Sequence, residues 1–324
     1  MRHALTIDTE DWPALMCSYL GRRTRVSGQF ARSVHRALDL LDEYQTRATF
    51  FVLASHAAEE PEPIREIADR GHEIASHGWT HAKLKAFTPQ GFRDDIERSI
   101  ETLEEITGER VRGYRAPFFS LMPEQCWAYE ILLDCGVEYD SSLTTLLWQH
   151  QSIDLPDRPF IVALPDGRKI VEVPALARKV GPITGRLIGG RTLRVLPQSV
   201  TRSHMRECEA DRLPAMLYVH TYEVTPDRLT QYLPRDLSLG GRLKLLVSAK
   251  AFEVGMGRMH RALCDLLDGY EWAPMGEVVH ELSDDDLPVV RITSQGEVQV
   301  AADEREPVAA RSAEERNDDA AHSG

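Results

Sequence analysis

The chain is expected to form an α/β fold built on a parallel sheet, open or closed into a barrel. Three observations predict this. Short apolar runs of strand length alternate with stretches whose apolar residues recur every three or four positions, the links are short, and polar clusters stand where the apolar runs end. Residues 4–8 form the first strand and stop in carboxylates. Phe30, Val34, Leu38, Leu41 and Tyr44 then step by three or four, as on a helix with one buried face. Residues 48–53 are a continuous apolar run suited to a strand covered on both sides. A short helix over 61–70 is closed by Gly71, and a strand over 72–76 follows. Phe92, Ile96, Ile100, Leu103 and Ile106 form the stripe of the clearest helix, closed by Gly108. A helix over 124–135 ends at Gly136, and strands are expected at 137–139, 170–173 and 216–219. A last helix over 254–267 carries Met259, Leu263 and Leu266 on one side.

Residues 143–213, rich in proline and glycine, are expected to be a long irregular insertion within a single domain over 1–282. The 324 residues carry 38 Lys+Arg against 51 Asp+Glu, a net charge of −13 that opposes nonspecific binding to nucleic acid or anionic membrane. More than half of that charge falls in 283–324, with 11 acidic and 4 basic residues, so this stretch is expected to be a disordered acidic tail. No apolar run is long enough for a transmembrane helix, and Met1-Arg2-His3 leads straight into the first strand, so a cytoplasmic protein is expected. Five scattered cysteines without a C-x-x-C pair argue for reduced thiols.

Four polar clusters sit at predicted strand ends, where parallel α/β folds bind ligands. In Asp8-Thr9-Glu10-Asp11-Trp12, three carboxylates repel one another unless a cation lies among them. They suit either a solvated acidic turn or a site where one carboxylate ligates a metal and another acts as base. In Ser76-His77-Gly78-Trp79-Thr80-His81, two histidines four apart on a helical turn would reach one ion. His72-Glu73-Ile74-Ala75-Ser76 opens like the zinc-protease H-E-x-x-H motif, but its last histidine falls one place late, and that reading is rejected. In Arg115-Ala116-Pro117-Phe118, the arginine would orient an ionised acid, and the proline would help aim the next amide N–H at an oxyanion. Leu217-Tyr218-Val219-His220 ends an apolar strand in a lone histidine, more often structural than catalytic. Together the clusters supply what metal-assisted hydrolysis requires.

In this order and spacing the clusters resemble the polysaccharide deacetylase family, also called the NodB-homology domain or carbohydrate esterase family 4. The resemblance is closest to the branch found with bacterial exopolysaccharide loci. The branch's features are matched by Asp8-Thr9-Glu10-Asp11-Trp12, by Gly189-Gly190 with Leu196-Pro197, and by Leu217 with His220-Thr221-Tyr222. The resemblance implies a distorted (β/α)₇ barrel. It implies Asp8 as general base, and His77, His81 and a carboxylate from Glu10 or Asp11 as ligands of one divalent ion. Glu10 is favoured, because a spacing of two returns to the same side of a strand. It further implies Arg115 paired with Asp8, the Phe118 amide lining an oxyanion hole, and His220 as general acid. Asp140 would orient a catalytic histidine. Three departures stand out: Phe118 replaces a tyrosine, His220-Thr221-Tyr222-Glu223 replaces His-Pro-Trp-Glu, and Arg191-Thr192-Leu193 replaces an aromatic pair.

The implied activity is hydrolysis of a linear amide, removing N-acetyl groups from amino sugars of a glycan in exopolysaccharide or cell-envelope biosynthesis. The metal would be zinc, with cobalt, manganese or nickel as alternatives. The implied partner is the N-acetylated glycan, with no nucleic acid and no integral membrane segment. Trp12, Trp79, Phe118, Phe119 and Trp148 favour an open glycan cleft over the closed pocket that a small cyclic amide or ester would need. A non-catalytic glycan-binding relative is the remaining alternative.

Overall fold

β1 (His3–Thr9) organises the fold, because its alternating residues serve two layers at once. It is followed by β2 (Thr49–Val52), β3 (Glu73–Ser76), β4 (Gly113–Tyr114), β5 (Tyr139–Asp140), β6 (Phe160–Ala163) and β7 (Lys169–Glu172). Then come β8 (Ala177–Val180), β9 (Ile183–Arg186), β10 (Met216–His220), β11 (Trp272–Ala273), β12 (Val289–Ile292) and β13 (Val298–Val300). The structure is a computed structural model and describes residues 1–300 apart from 23, 181–182, 187–188, 225–227 and 235–236.

Seven strands run parallel in the order β10-β1-β2-β3-β4-β5-β7. This is the strand set of the expected barrel, but no ladder joins β7 to β10 among the described residues. The two edges still approach each other: Val173 to Leu176 after β7 and Pro214 and Met216 at β10 line one small cavity. Pro174 and Pro214 stand at this seam, and a proline has no N–H for a ladder. Beyond β7 the sheet continues through antiparallel β6, then β12 parallel to β6, then antiparallel β13.

The two faces of the sheet hold separate cores. Leu5, Ile7, Phe50, Val52 and Ile74 point outward to the helices, where Phe30, Val34, Leu38 and Leu41 of the helix Gln29–Glu43 belong to the same cluster. Ala4, Phe51, Ala75, Tyr139 and Val173 fill the interior with Met275 and Val278. Each such large side chain stabilises by about 1.5–3 kcal/mol relative to leaving it in water. The helix Pro89–Thr107 buries Phe92, Ile96, Ile100 and Leu103, is capped by the Thr88 hydroxyl, and ends at left-handed Gly108, as its spacing predicts.

Two expectations need correction. Residues 143–213 are built of β6 to β9 and the helices Thr145–Gln149, Gly190–Val195 and Gln198–Asp211. Pro156, Pro159, Pro165, Gly167, Pro174 and Pro197 fall between these short elements, which is why the segment lacks a visible period. The stretch from 283 is also not tail throughout. Leu287, Val290 and Ile292 are buried, and β12 and β13 extend the main sheet, so the charge of Asp284 to Asp286 masked a strand signal. Residues 301–324 lie outside the described residues.

Candidate active site

The parallel strands end together, and their carboxyl ends carry the four clusters. Along β1 the period of two sends Thr6 and Asp8 inward, and Glu10 follows on the same side. Glu10 is buried, and its Oε1 lies 2.9 Å from His81 Nε2 and 3.1 Å from His77 Nε2. Burial alone would raise its pKa, but the facing His81 and His77 rings hold it well below the usual carboxylate range. Asp11 is turned away. Its carboxylate caps the helix Trp12–Tyr19 by accepting from the Ala14 amide, and it accepts from the amide and hydroxyl of Ser27. Burial pushes its pKa up to about 6. Asp11 is therefore a cap, and only Glu10 joins the histidines.

The two histidines are not on a helical turn. The chain after β3 is a loop that bends at Gly78, whose φ of +80° favours glycine. Asp95, from the helix Pro89–Thr107, accepts from the amides of Trp79 (2.8 Å) and Thr80 (3.1 Å) and from the Thr80 hydroxyl (2.7 Å). A Cβ at Gly78 would lie 3.0 Å from Asp95 Oδ2, so glycine also makes room for this clasp. Reading the motifs alone missed Asp95; it lies on the predicted inner side of a helix as an acid among apolar neighbours. His77 Nδ1 donates to the Arg115 carbonyl at 2.7 Å, which fixes the ring so that Nε2 faces Glu10. His81 Nδ1 lies 3.1 Å from the Tyr19 hydroxyl.

Arg115 is fully buried. Its guanidinium donates to Asp8 Oδ1 at 2.7 Å, to Thr6 Oγ1 at 3.0 Å and to Ser141 Oγ at 3.1 Å, and it lies 4.0 Å from the Phe51 ring centre. The expected pairing with Asp8 is present, and Asp8 Oδ2 stays free of it, 3.8 Å from His77 Nε2. The following residues are strained: Phe118 and Phe119 both take positive φ, 64° and 53°. The exposed Phe118 ring packs 4.7 Å from the His81 ring.

His220 closes the opposite side. Its register partner across the sheet is Asp8, and Asp8, Glu10 and His220 offer ligand-type atoms within 4.8 Å of one another. Glu223 Oε2 accepts from His220 Nδ1 at 2.8 Å and from the His220 amide at 3.1 Å. Burial opposes the imidazolium, yet Glu223 outweighs it and raises the His220 pKa to about 9. Arg194 holds Glu223 at 3.0 Å. A Cβ at Gly190 would fall 2.1 Å from the Glu223 carboxylate, which explains this glycine in physical terms.

Asp140 does not orient a histidine. It accepts from Ser142 Oγ, which in turn accepts from the Ala116 amide, so Asp140 braces the arginine segment instead. Leu217 packs in the outer core away from the site, and only its carbonyl turns inward, accepting from Thr6 Oγ1 at 2.9 Å. Among the five aromatics, Trp12, Phe119 and Trp148 are buried core residues, and Trp79 is half-buried under Arg98. Of these five, Phe118 is the one exposed beside His81, where Tyr19 is exposed as well.

Glu10, His77 and His81 bring three ligand atoms within 4.8 Å. Two imidazole nitrogens and one carboxylate oxygen, with one tautomer set by a carbonyl, fit a single divalent ion of the zinc type. The arrangement can hold such an ion with a carboxylate on one flank and a histidine–glutamate pair on the other.

Residues 27–132 match the family described as polysaccharide deacetylase, and residues 141–280 match a domain of unknown function, DUF3473. The peptidoglycan deacetylase of Helicobacter pylori is 33% identical over 118 residues, covering 36% of this chain and 39% of that protein. A chitooligosaccharide deacetylase of Sinorhizobium fredii is 34% identical over 138 residues, covering 40% and 56%. The chain thus spans between about two fifths and three fifths of the length of these relatives. A crystal structure from Mycobacterium smegmatis, described as a candidate polysaccharide deacetylase, superposes with a TM-score of 0.58 at 23% identity, covering 94% of each chain. It shows the fold.

Proposed function

We propose that this chain, which carries a polysaccharide deacetylase domain, hydrolyses the N-acetyl groups of amino-sugar units in a glycan. The convergence of His77 and His81 on Glu10, with Asp8 and His220 on either flank, is the observation that carries this reading. Glu10, His77 and His81 would hold one divalent ion, zinc first among the candidates. Bound there, it supplies Lewis acidity, which polarises an amide carbonyl and lowers the pKa of water towards about 7.

The protein's own groups divide the rest of the work. Asp8, aimed by its hydrogen bond from Arg115, removes a proton from the attacking water. A C–O bond forms at the carbonyl carbon, and the Phe118 amide donates to the developing oxyanion. His220, charged through its pairing with Glu223, gives its proton to the departing nitrogen as the C–N bond breaks. The products are acetate and a free amine. We further place this reaction in exopolysaccharide or cell-envelope glycan biosynthesis, on the strength of the first-cluster and glycine-pair likeness.

The test is incubation with N-acetylglucosamine oligomers under several divalent ions, scoring free amine and acetate. His77→Ala should lose bound metal and, with it, several kcal/mol of stabilisation, about 10³ or more in rate. Full activity in that variant at full metal occupancy would sink the assignment. Turnover of small cyclic amides but not oligomers would favour the rival hydrolase.

A further inference from the structure

The helix Leu239–Glu253 is apolar on two opposite sides. Leu245 and Ala249 are buried against the body, and Phe252 packs on Trp12 and Tyr222. On the other side Leu239, Leu243 and Val247 recur every four residues and are 87%, 62% and 62% exposed, with Val254 beyond them at 70%. A contiguous exposed apolar stripe of this kind marks a surface that meets a partner or a membrane. The outer stripe also borders a cleft of about 560 Å³ lined by Met16, Tyr19, Leu20 and Leu243.

Charge indicates what covers it. By the 3.6-residue period, Arg242 and Lys244 stand about a quarter turn to either side of the stripe. Residues 239–254, which supply one wall of the cleft, contain three basic residues and one acidic, Glu253, which is paired with Lys250, and residues 16–20 on the other wall contain no charged residue. The chain as a whole carries −13, so this face reverses the sign of the molecule. An apolar stripe flanked by cations is the pattern of an interfacial helix on an anionic bilayer.

We propose that the face formed by Leu239, Leu243, Val247 and Val254, with Arg242 and Lys244, docks on an anionic lipid surface. Tyr19 belongs to the same cleft, and its hydroxyl meets His81. Docking would therefore seat the mouth of the site at the membrane. That consequence rests on the deacetylase reading; the docking itself does not.

The test is co-sedimentation of the full chain with phosphatidylcholine vesicles, with and without a third of phosphatidylglycerol. Binding is expected on the anionic vesicles and should weaken with salt. Arg242→Ser with Lys244→Ser should weaken it about thirtyfold, each cation near such a surface contributing about fivefold. Leu243→Glu with Val247→Glu should weaken it at least tenfold. Both pairs are surface changes whose melting temperature and turnover of soluble oligomers should match the parent. The proposal is overturned by absent vesicle binding, by binding that ignores both pairs, or by a dimer in light scattering that Leu243→Glu with Val247→Glu dissociates. Because sedimentation needs no turnover, an inactive chain that still binds vesicles would refute only the proposed reaction.

Discussion

The two flanks of the site are built differently. On the metal side, Glu10, His77, His81 and Arg115 come from the ends of β1, β3 and β4, three strands within one parallel run. Their supports are equally local: the Arg115 carbonyl fixes His77, and Asp95 clasps the His loop. On the acid side, His220 depends on Glu223 three residues on, and Glu223 depends on Gly190 and Arg194 from a distant segment. The family matches follow this division in part: His77, His81, Asp95 and Arg115 fall within 27–132, and Gly190, Arg194, His220 and Glu223 fall within 141–280, while Asp8 and Glu10 precede both. The metal side is thus set by the sheet itself, whereas the acid side is set by the docking of one segment on another and is the easier to retune.

Perturbing each flank tests this contrast. The largest effect on the acid side should come from His220→Ala, on the order of 10²–10⁴ in rate if His220 is the proton donor. Metal content should not change. A loss below tenfold would pass the donor role to another residue. Glu223→Gln should cost about 10–100-fold, because it removes the charge that keeps His220 protonated, and Gly190→Ala should reproduce it by displacing the carboxylate. If Gly190→Ala behaved as the parent, the glycine would have no part in holding Glu223. On the metal side, Asp95→Ala should lower metal affinity by about 10–100-fold while turnover at saturating metal stays near the parent. A drop in turnover at full occupancy would instead tie Asp95 to the reaction.

How much of this was legible in the chain follows the same divide. The period of two along residues 8–10 is enough to select Glu10 over Asp11, because strand geometry is strict. The helix with Phe92 and Ile96 was legible from its stripe, and the spacing of four between His77 and His81 marked two rings that converge on Glu10. The loop that achieves this was not legible, since it depends on Gly78 and on a carboxylate 14 residues beyond His81 in the chain. The helix Gln198–Asp211 and strand β12 escaped because charged residues interrupt their apolar spacing, and only packing against the sheet makes them regular. Asp140 was placed at the right strand end but given the wrong partner. A strand end fixes where a side chain starts, not which of several buried groups it will meet.

The smallest predicted effect concerns that same residue. Asp140 and Glu172 are register partners on β5 and β7, both fully buried, and Asp140 Oδ2 has no donor unless a proton lies between them. Burial, then the neighbouring Asp140 charge, raises Glu172 well above the ordinary carboxylate range, while burial raises Asp140 to about 6. The pair therefore holds a proton that the unfolded chain releases. Wherever the folded state binds more protons than the unfolded one, stability falls as pH rises. The pair's contribution is thus largest below the ordinary carboxylate range and declines as pH rises through the raised values. Glu172→Gln places a permanent N–H donor against Asp140 and can still accept from the Leu143 amide, which Glu172 meets at 3.3 Å. Melting temperatures between pH 5 and pH 8 should decline less for Glu172→Gln than for the parent. Parallel curves would mean that no proton is shared, and that Asp140 braces the Ala116 amide through Ser142 as an ordinary buried anion.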